Sequence, residues 1–400
     1  MAKQVQDAYI VAATRTPVGK APRGMFRNTR PDDLLAHALK SVLRQAPGLE
    51  PGAVDDVIVG CAIPEAEQGM NVARIGLLLA GFPNTVSGVT VNRFCSSGLQ
   101  AVSMAADRIR LGEAEVMIAA GAESMSMIPM GGNKIAINEH IFDRDENIGI
   151  GYGMGITAEK VAQRWNVSRE AQDLFATGSH RKALAAIESG EFRDEITPFT
   201  IDEKLPELAS HEIKHHTRVV SVDEGPRAGT TPEVLAKLRP AFAAYGSVTA
   251  GNSSQTSDGA GAVILASEAS LKRYGLTPLA RFLGFAVAGV PPEIMGIGPK
   301  FAIPKVLKQV GLKQEDMDWI ELNEAFAAQS LAVINDLGLD SAKINPLGGA
   351  IALGHPLGAT GAIRTATIVH GLRRRKQKYG MVTMCIGTGM GAAGVFESVR

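Results

Sequence analysis

Val89-Thr90-Val91-Asn92-Arg93-Phe94-Cys95-Ser96-Ser97-Gly98 is the stretch that decides the fold, because it joins a short buried strand to a helix. Residues 89–91 are apolar or β-branched, as is typical of a strand that is covered on both faces. In residues 99–111 apolar side chains recur at helical spacing, and Gly112 stops the helix. Residues 116–120 predict a second buried strand. The order strand, helix, strand indicates an α/β fold with a largely parallel sheet.

The same order returns near the carboxyl end of the chain. Ile344-Asn345, a glycine-rich turn, a helix and residues 382–387 repeat the order of Val91-Asn92, turn, helix and residues 116–121. We therefore predict two related α/β halves. The first half comprises residues 1–123 and 247–275, and the second comprises residues 276–400.

Residues 124–246 differ from both halves, because strand-like runs are scarce there. Residues 157–165, 168–189 and 232–238 predict helices, and residues 138–147 and 202–216 are polar. We expect an inserted segment that is mostly helical and rich in loops.

Composition excludes several classes of protein. A chain of 400 residues predicts two or three domains, at roughly 100–200 residues each. Lys and Arg together number 41, as do Asp and Glu, so the zero net charge gives no general attraction to nucleic acid or to an anionic membrane. Three cysteines make no disulfide scaffold and favour a reducing compartment. We find no apolar run near the ~20 residues of a membrane span, no signal peptide and no peroxisomal address, and we expect a cytoplasmic protein.

Glycine is enriched, at 44 of 400 residues against a usual ~7%. This enrichment predicts close backbone approach somewhere in the fold.

Three residues could carry chemistry. Cys95 lies at the start of a helix, where unpaired N–H groups favour a thiolate, although a lone cysteine is more often a small buried apolar residue. His355 lies in Gly354-His355-Pro356, and an imidazole is the usual partner that activates a thiol, but a turn histidine without a role is equally consistent. Cys385 ends a predicted strand at residues 381–386 and could also be a core residue.

Other motifs carry less weight. Asn323-Glu324-Ala325-Phe326 follows a predicted strand at residues 319–322, and Asn323 could be only the N-cap of a helix and Glu324 only a first-turn acid. The pattern at residues 389–394 matches Gly-x-Gly-x-x-Gly, but only six residues follow it, so no helix could complete a dinucleotide site. Cys61 has no chemical neighbour in the sequence. No Cys-x-x-Cys pair or His-Glu-x-x-His motif predicts a metal.

Together these segments resemble the thiolase family, and within it the degradative 3-ketoacyl-CoA thiolases (acetyl-CoA acyltransferases). The resemblance runs through residues 15–17, 92–98, 154–159, 237–242, 249–254, 295–299, 323–326, 348–358 and 385–391. It implies two thiolase-type α/β halves in a five-layered αβαβα fold, with the insertion holding coenzyme A (CoA).

The resemblance also implies a reaction. Cys95 would attack the 3-keto carbon of a 3-ketoacyl-CoA, and His355 would activate it. Cys385 would protonate the acetyl-CoA enolate, or remove that proton in the reverse condensation. Free CoA would then take the acyl group from Cys95 in a ping-pong cycle of fatty-acid β-oxidation.

Supporting roles follow from the same resemblance. His355 with a water held by Asn323 would stabilise one oxyanion, and the N–H groups of Cys95 and Gly387 the other. The remaining positions would contact CoA or the acyl group: Arg227 the nucleotide, Ser254 and Phe326 the pantetheine, Met154 and Met295 the acyl chain. CoA is then a co-substrate, and no permanent cofactor or metal is expected. As partners, the resemblance implies a homodimer or homotetramer and leaves room for a hydratase/dehydrogenase subunit of β-oxidation.

One departure separates two branches of the family. Biosynthetic acetoacetyl-CoA thiolases have Tyr-His-Met-Gly where this chain has Tyr152-Gly153-Met154-Gly155, which favours the degradative branch. Three alternatives stay open: a biosynthetic thiolase that condenses two acetyl-CoA, a non-catalytic lipid or acyl-CoA carrier with this fold, and a cysteine hydrolase that uses Cys95 and His355.

Overall fold

Residues 5–399 are described by the structure, a computed structural model. The strands are β1 Ala8–Arg15, β2 Gly19–Lys20, β3 Asp56–Gly60, β4 Ser87–Val91, β5 Val116–Ser124, β6 Phe199–Glu207, β7 Glu212–Val220, β8 Ser257–Ala266, β9 Ala280–Gly289, β10 Trp319–Leu322, β11 Tyr379–Ile386 and β12 Met390–Ser398. The helices are α1 Pro31–Arg44, α2 Val72–Leu79, α3 Ser97–Arg110, α4 Met154–Arg164, α5 Arg169–Glu188, α6 Pro232–Ala236, α7 Glu268–Tyr274, α8 Gly298–Val310, α9 Ala327–Leu337, α10 Ala350–Leu353 and α11 Leu357–Arg374.

The main sheet is mixed, in the order β10-β11-β12-β9-β1-β8-β5-β3-β4, with β2 paired to β8. β1 joins the two halves, because it pairs with β8 along its length and with β9 through residues 8–10. Among the strands of residues 5–399, pairing is parallel only for β3–β4, β3–β5 and β10–β11. The expectation of a largely parallel sheet was therefore wrong. A strand covered on both faces has the same apolar pattern whichever way its neighbour runs.

Two helices, α3 and α11, pack between the two halves of the sheet. Leu99 of α3 and Ile368 of α11 share one buried core with Met117 of the first half and Val382 of the second. On the outer faces, α1 and α2 cover the first half, and α8 and α9 cover the second. The five layers and the two related α/β halves are thus confirmed.

Glycines let the two central helices touch through their backbones. A Cβ placed on Gly98 of α3 would lie 2.6 Å from the backbone nitrogen of Ala362 in α11. A Cβ on Gly361 of α11 would overlap with the backbone of Leu99. The close approach that the glycine content predicted occurs here, beside Cys95 and the helix that follows His355.

The segment between β5 and β8 contains the predicted helices as α4, α5 and α6. It also contains a long antiparallel hairpin, β6–β7, that the sequence did not predict. Both strands are exposed over most of their length, so residues 202–216 show no apolar alternation. The boundaries 124 and 246 stay a prediction.

A buried ion-pair network fixes this segment to the first half. The Nε of Arg15 lies 2.6 Å from Glu195, and its two terminal nitrogens lie 2.7 and 2.9 Å from the carboxylate of Asp223. All three side chains are buried. Among the helices of residues 5–399, none is long and apolar enough to cross a membrane.

Candidate active site

Cys95 lies in a short turn between β4 and α3. The turn is fixed by Ser97, whose Oγ accepts the N–H of Arg93 at 2.8 Å and donates to the carbonyl of Phe94 at 2.7 Å. Phe94 has a positive φ of 42°, which turns the chain sharply before the cysteine. Cys95 stays partly exposed, while Ser96 and Ser97 are buried.

Burial raises the pKa of the Cys95 thiol from its ordinary value to about 11, although the N–H groups of Gly387 and of Cys95 itself favour the thiolate. The negative charge of Glu123 adds to the increase. The N–H groups at the helix start thus favour the thiolate, as expected, but desolvation outweighs them. At neutral pH Cys95 is a thiol that needs a base.

His355 is buried and has hydrogen-bond partners at both ring nitrogens. Nδ1 lies 2.7 Å from Oγ1 of Thr360, and Nε2 lies 3.3 Å from Nδ2 of Asn323. With the amide of Asn323 donating to Nε2, the ring carries its proton on Nδ1, and the electron pair of Nε2 accepts from this amide. Burial, together with the positive charge of Arg364, lowers the pKa of His355 to about 3. The imidazole is thus a neutral acceptor of protons.

Asn323 connects this histidine to the strand that carries the second thiol. Its N–H donates to the carbonyl of Thr383 in β11 at 2.9 Å, two residues before Cys385. Its side-chain Oδ1 is buried and has no hydrogen-bond partner within the described residues. Such an acceptor can hold a water or a donor group of a substrate.

Cys385 is a buried free thiol near the end of β11. Burial raises its pKa well above the ordinary value, and the nearby Cys95 raises it further. Gly387 follows two residues later, and its N–H faces the sulfur of Cys95. A Cβ on Gly387 would lie 3.5 Å from Sδ of Met154. The two thiols and the N–H of Gly387 therefore meet where β4 and β11 end, and Asn323 at the end of β10 connects this point to the imidazole of His355.

The predicted substrate-contacting residues divide into two groups. Met154, Met295 and Phe326 share one apolar cluster with Cys385. Ser254 lies beside it, since its N–H donates to the carbonyl of Ala325 at 2.9 Å. These four residues are brought to the thiols.

Arg227 is exposed on the surface and lies outside that cluster. Its N–H donates to Nδ1 of His180 in α5 at 3.2 Å. Two residues earlier, the carbonyl of Gly225 accepts from the side chain of Gln255, the neighbour of Ser254. These two contacts join the loop of Arg227 to α5 and to the residue after Ser254.

Comparison with known proteins agrees with this geometry. The thiolase N-terminal domain model matches residues 8–269, and the thiolase C-terminal domain model matches residues 276–398. The chain belongs to the thiolase family.

Curated and solved thiolases resemble this chain over nearly its full length. A 3-ketoacyl-CoA thiolase of Bacillus subtilis is 52% identical over 98% of this chain and 100% of its own. The structure of an acetyl-CoA acetyltransferase of Bacillus anthracis has a TM-score of 0.88 and 42% identity, covering 99% of this chain and 100% of that one. The dimeric peroxisomal thiolase of Saccharomyces cerevisiae has a TM-score of 0.88 and 41% identity, covering 98% of both chains. Membership in the family makes this protein an acyltransferase enzyme.

Three polar residues of this thiolase site were missed as contributors by sequence reasoning. Thr360 holds Nδ1 of His355, and Oγ of Ser257 accepts the histidine N–H at 3.1 Å. Glu324 was considered only as a first-turn acid, yet it is buried among several donors. Thr360 stands five residues after the histidine and Ser257 stands 98 before it, so neither spacing has a local meaning. Within residues 5–399, no group of three or more His, Cys, Asp or Glu side chains is arranged to hold a metal ion.

Proposed function

We propose that this thiolase cleaves 3-ketoacyl-CoA with CoA to acetyl-CoA and a shortened acyl-CoA, in fatty-acid β-oxidation. The observation that carries the proposal is the pairing of two thiols, Cys95 and Cys385, beside a neutral imidazole. The names of the curated relatives, which are 3-ketoacyl-CoA thiolases, support the same direction.

The first half-reaction begins with the thiol of Cys95. As its sulfur attacks the 3-keto carbon, its proton passes to Nε2 of His355, which is unprotonated at neutral pH. The bond between carbons 2 and 3 then breaks. The resulting enolate takes the proton of Cys385 and leaves as acetyl-CoA, while the shortened acyl group stays on Cys95 as a thioester.

The second half-reaction reverses these proton movements. The Cys385 thiolate takes the proton of free CoA, whose sulfur attacks the thioester. The bond between the acyl carbon and Cys95 breaks, and the sulfur of Cys95 leaves as a thiolate that recovers its proton from His355. The cycle is ping-pong because acetyl-CoA departs before CoA reacts.

Oxyanions form in both half-reactions and need fixed donors. The N–H groups of Cys95 and Gly387 are directed at the reacting sulfur and would bind the thioester oxygen. Asn323 and His355 would serve the other oxygen through a water on the buried amide. Met154 and Met295 would border the acyl chain, Ser254 and Phe326 the pantetheine, and Arg227 the CoA phosphates.

A biosynthetic thiolase is the second candidate, because the Bacillus anthracis relative is titled an acetyl-CoA acetyltransferase. Against it stands Gly153, which replaces the histidine of the biosynthetic motif. The two functions differ in substrate length rather than in chemistry.

The test is a profile of thiolysis kcat/KM against 3-ketoacyl-CoA chain length, with mass spectrometry of the enzyme incubated with acetyl-CoA. We expect turnover beyond the four-carbon substrate and an acetyl group on Cys95. A variant with Cys61→Ser, which changes a buried cysteine outside the site, should keep the adduct. Turnover of the four-carbon substrate alone would favour the biosynthetic thiolase. Absence of an acetyl adduct would favour the non-catalytic carrier, and hydrolysis without CoA would favour the cysteine hydrolase.

We also propose a homodimer in a reducing, cytoplasmic compartment. Strand β4 pairs only with β3 in the part of the chain that the structure describes, which leaves its other edge open to a second copy. The yeast relative is titled dimeric. Three free cysteines support the reducing compartment.

A further inference from the structure

Glu324 is a buried carboxylate that has no part in the proton transfers above. Its Oε2 accepts from Oγ of Ser179 at 2.6 Å and from the N–H of Ile351 at 3.2 Å. Its Oε1 accepts from Nδ2 of Asn345 at 2.8 Å. The donors come from α5, from α10 and from the loop before α10, so one carboxylate joins three separate segments to the residue after Asn323.

Two of these segments determine where the catalytic amide and imidazole stand. Asn345 is bound to the end of β10, since its Oδ1 accepts the N–H of Leu322 at 2.9 Å and its Nδ2 donates to the Leu322 carbonyl at 2.8 Å. Ile351 belongs to α10, which ends just before Gly354 and His355. Because Glu324 binds both Asn345 and Ile351, it fixes the distance between the end of β10 and α10. That distance determines the 3.3 Å contact between Asn323 and His355.

The third segment supports the carboxylate from outside. Oγ of Ser179 donates to Glu324 and at the same time accepts the N–H of Gly349 at 3.0 Å. A Cβ on Gly349 would overlap with the Glu324 carboxylate, so the glycine allows this approach. Oε2 is therefore occupied by a backbone N–H and a serine hydroxyl, and Oε1 by the side-chain amide of Asn345.

An amide cannot replace this carboxylate without a clash of donors. With a glutamine NH₂ at Oε2, two N–H donors would face each other at Ile351. With the NH₂ at Oε1, it would face Nδ2 of Asn345, and that amide cannot turn because its Oδ1 accepts from Leu322. Either orientation forces the β10 end and α10 apart.

We propose that Glu324 is a positioning residue for acyl transfer, holding Asn323 against Nε2 of His355 with Ser179 as its support. This proposal rests on the proposed function, in which those two groups bind the oxyanion and accept the proton of Cys95. A misplaced pair leaves CoA binding intact and slows the chemical steps.

The experiment compares Glu324→Gln and Ser179→Ala with a matched control, Glu115→Gln. Glu115 is a half-buried carboxylate that accepts from Ser267 and Ser270 at the far end of β5. Each variant is assayed for kcat per acetylatable Cys95, KM for CoA, the rate of Cys95 acetylation and melting temperature. Counting acetylatable sites removes the contribution of misfolded enzyme.

We expect Glu324→Gln to lower kcat and the acetylation rate together by about 10- to 100-fold, with KM for CoA nearly unchanged, since a misplacement of about 1 Å has such an effect. Ser179→Ala should lower kcat and the acetylation rate by a smaller factor. Glu115→Gln should lower only the melting temperature.

An unchanged kcat per site in Glu324→Gln overturns the positioning role, provided that wild-type Cys95 is acetylated. If wild-type Cys95 is not acetylated, the proposed function fails and the positioning role fails with it. Should Glu324→Gln not fold, Ser179→Ala decides, and a kcat equal to that of the wild type overturns the proposal.

Discussion

Burial sets the protonation states of Cys95 and His355 in the free enzyme. The pKa of the thiol is raised to about 11, and the pKa of the imidazole is lowered to about 3. The pair is therefore a neutral thiol beside a neutral imidazole, rather than a thiolate with an imidazolium. Proton transfer then accompanies attack on the substrate.

Alkylation of Cys95 by iodoacetamide should follow this protonation state. Only the thiolate reacts, and below the pKa its fraction increases about tenfold for each pH unit. We expect the alkylation rate, measured on the Cys95 peptide by mass spectrometry, to increase steadily from pH 7 to pH 10. A plateau below pH 9 would mean an ion pair and would contradict the assignment.

A substitution at Gly387 tests how much space the reaction needs beside the sulfur of Cys95. A methyl group there would meet Met154 at 3.5 Å and Phe94 at 4.0 Å, which are ordinary contacts, so the free enzyme should accept Gly387→Ala. The methyl would block the thioester from the N–H group. We expect kcat/KM for thiolysis to fall about 10- to 100-fold with an unchanged melting temperature. Gly289→Ala, where nothing lies within 4 Å, is the control, and equal kinetics for the two variants would remove Gly387 from the site.

Individual elements were largely predictable from the sequence, while their pairing was not. The strands predicted at residues 89–91, 116–120, 319–322 and 381–386 all lie within observed strands. β5 is buried at every position, but the residues of β4 are exposed or half-buried at the edge of the sheet, so the expectation that residues 89–91 are covered on both faces was wrong. Whether β8 runs parallel or antiparallel to β5 depends on a connection of more than 100 residues, which no local pattern records.

The residues of the site were predictable only where their surroundings in sequence carry the chemistry. His355 stands in a glycine-rich turn, Cys95 in the turn before α3 and Cys385 near the end of β11. The structure places Cys95 near Cys385, and His355 beside Asn323. The charge state of Cys95 was not predictable, because desolvation comes from the packing of distant segments around it. Thr360 and Ser257 were missed for the same reason.

Strand β4 is the element on which the dimer proposal depends. Val89 is 39% exposed on this open edge, on the same face of the strand as Val91, which packs against the core of α3. A lysine at this position would be buried without a partner in a dimer, at a cost of several kcal/mol. We expect Val89→Lys to raise the Kd of the dimer at least about tenfold in sedimentation equilibrium. Leu174→Lys, at an exposed site on α5, should leave the dimer intact; a dimeric Val89→Lys protein would place the interface elsewhere.

At the scale of the whole molecule, the segment between β5 and β8 is attached to the first half by a buried charge network. Arg15 contacts Glu195 and Asp223, which belong to that segment and are fully buried. Asp223 also accepts the N–H of Val18 at 2.8 Å. Asp223 stands four residues before Arg227, so the network that attaches the segment also fixes one end of the loop proposed to bind CoA.

Replacing Arg15 by methionine tests separately whether the network stabilises the fold and whether it positions the loop of Arg227. The change leaves two carboxylates buried without their cation, which is expected to lower the free energy of unfolding by about 3–5 kcal/mol. Urea unfolding should show this loss, whereas Lys272→Met, which breaks an exposed pair with Glu268, should change stability by less than about 1 kcal/mol. Because the loop of Arg227 loses its fixed end, KM for CoA should increase more than kcat falls. A destabilised Arg15→Met enzyme with a wild-type KM for CoA would mean that the network holds the fold together without positioning the loop.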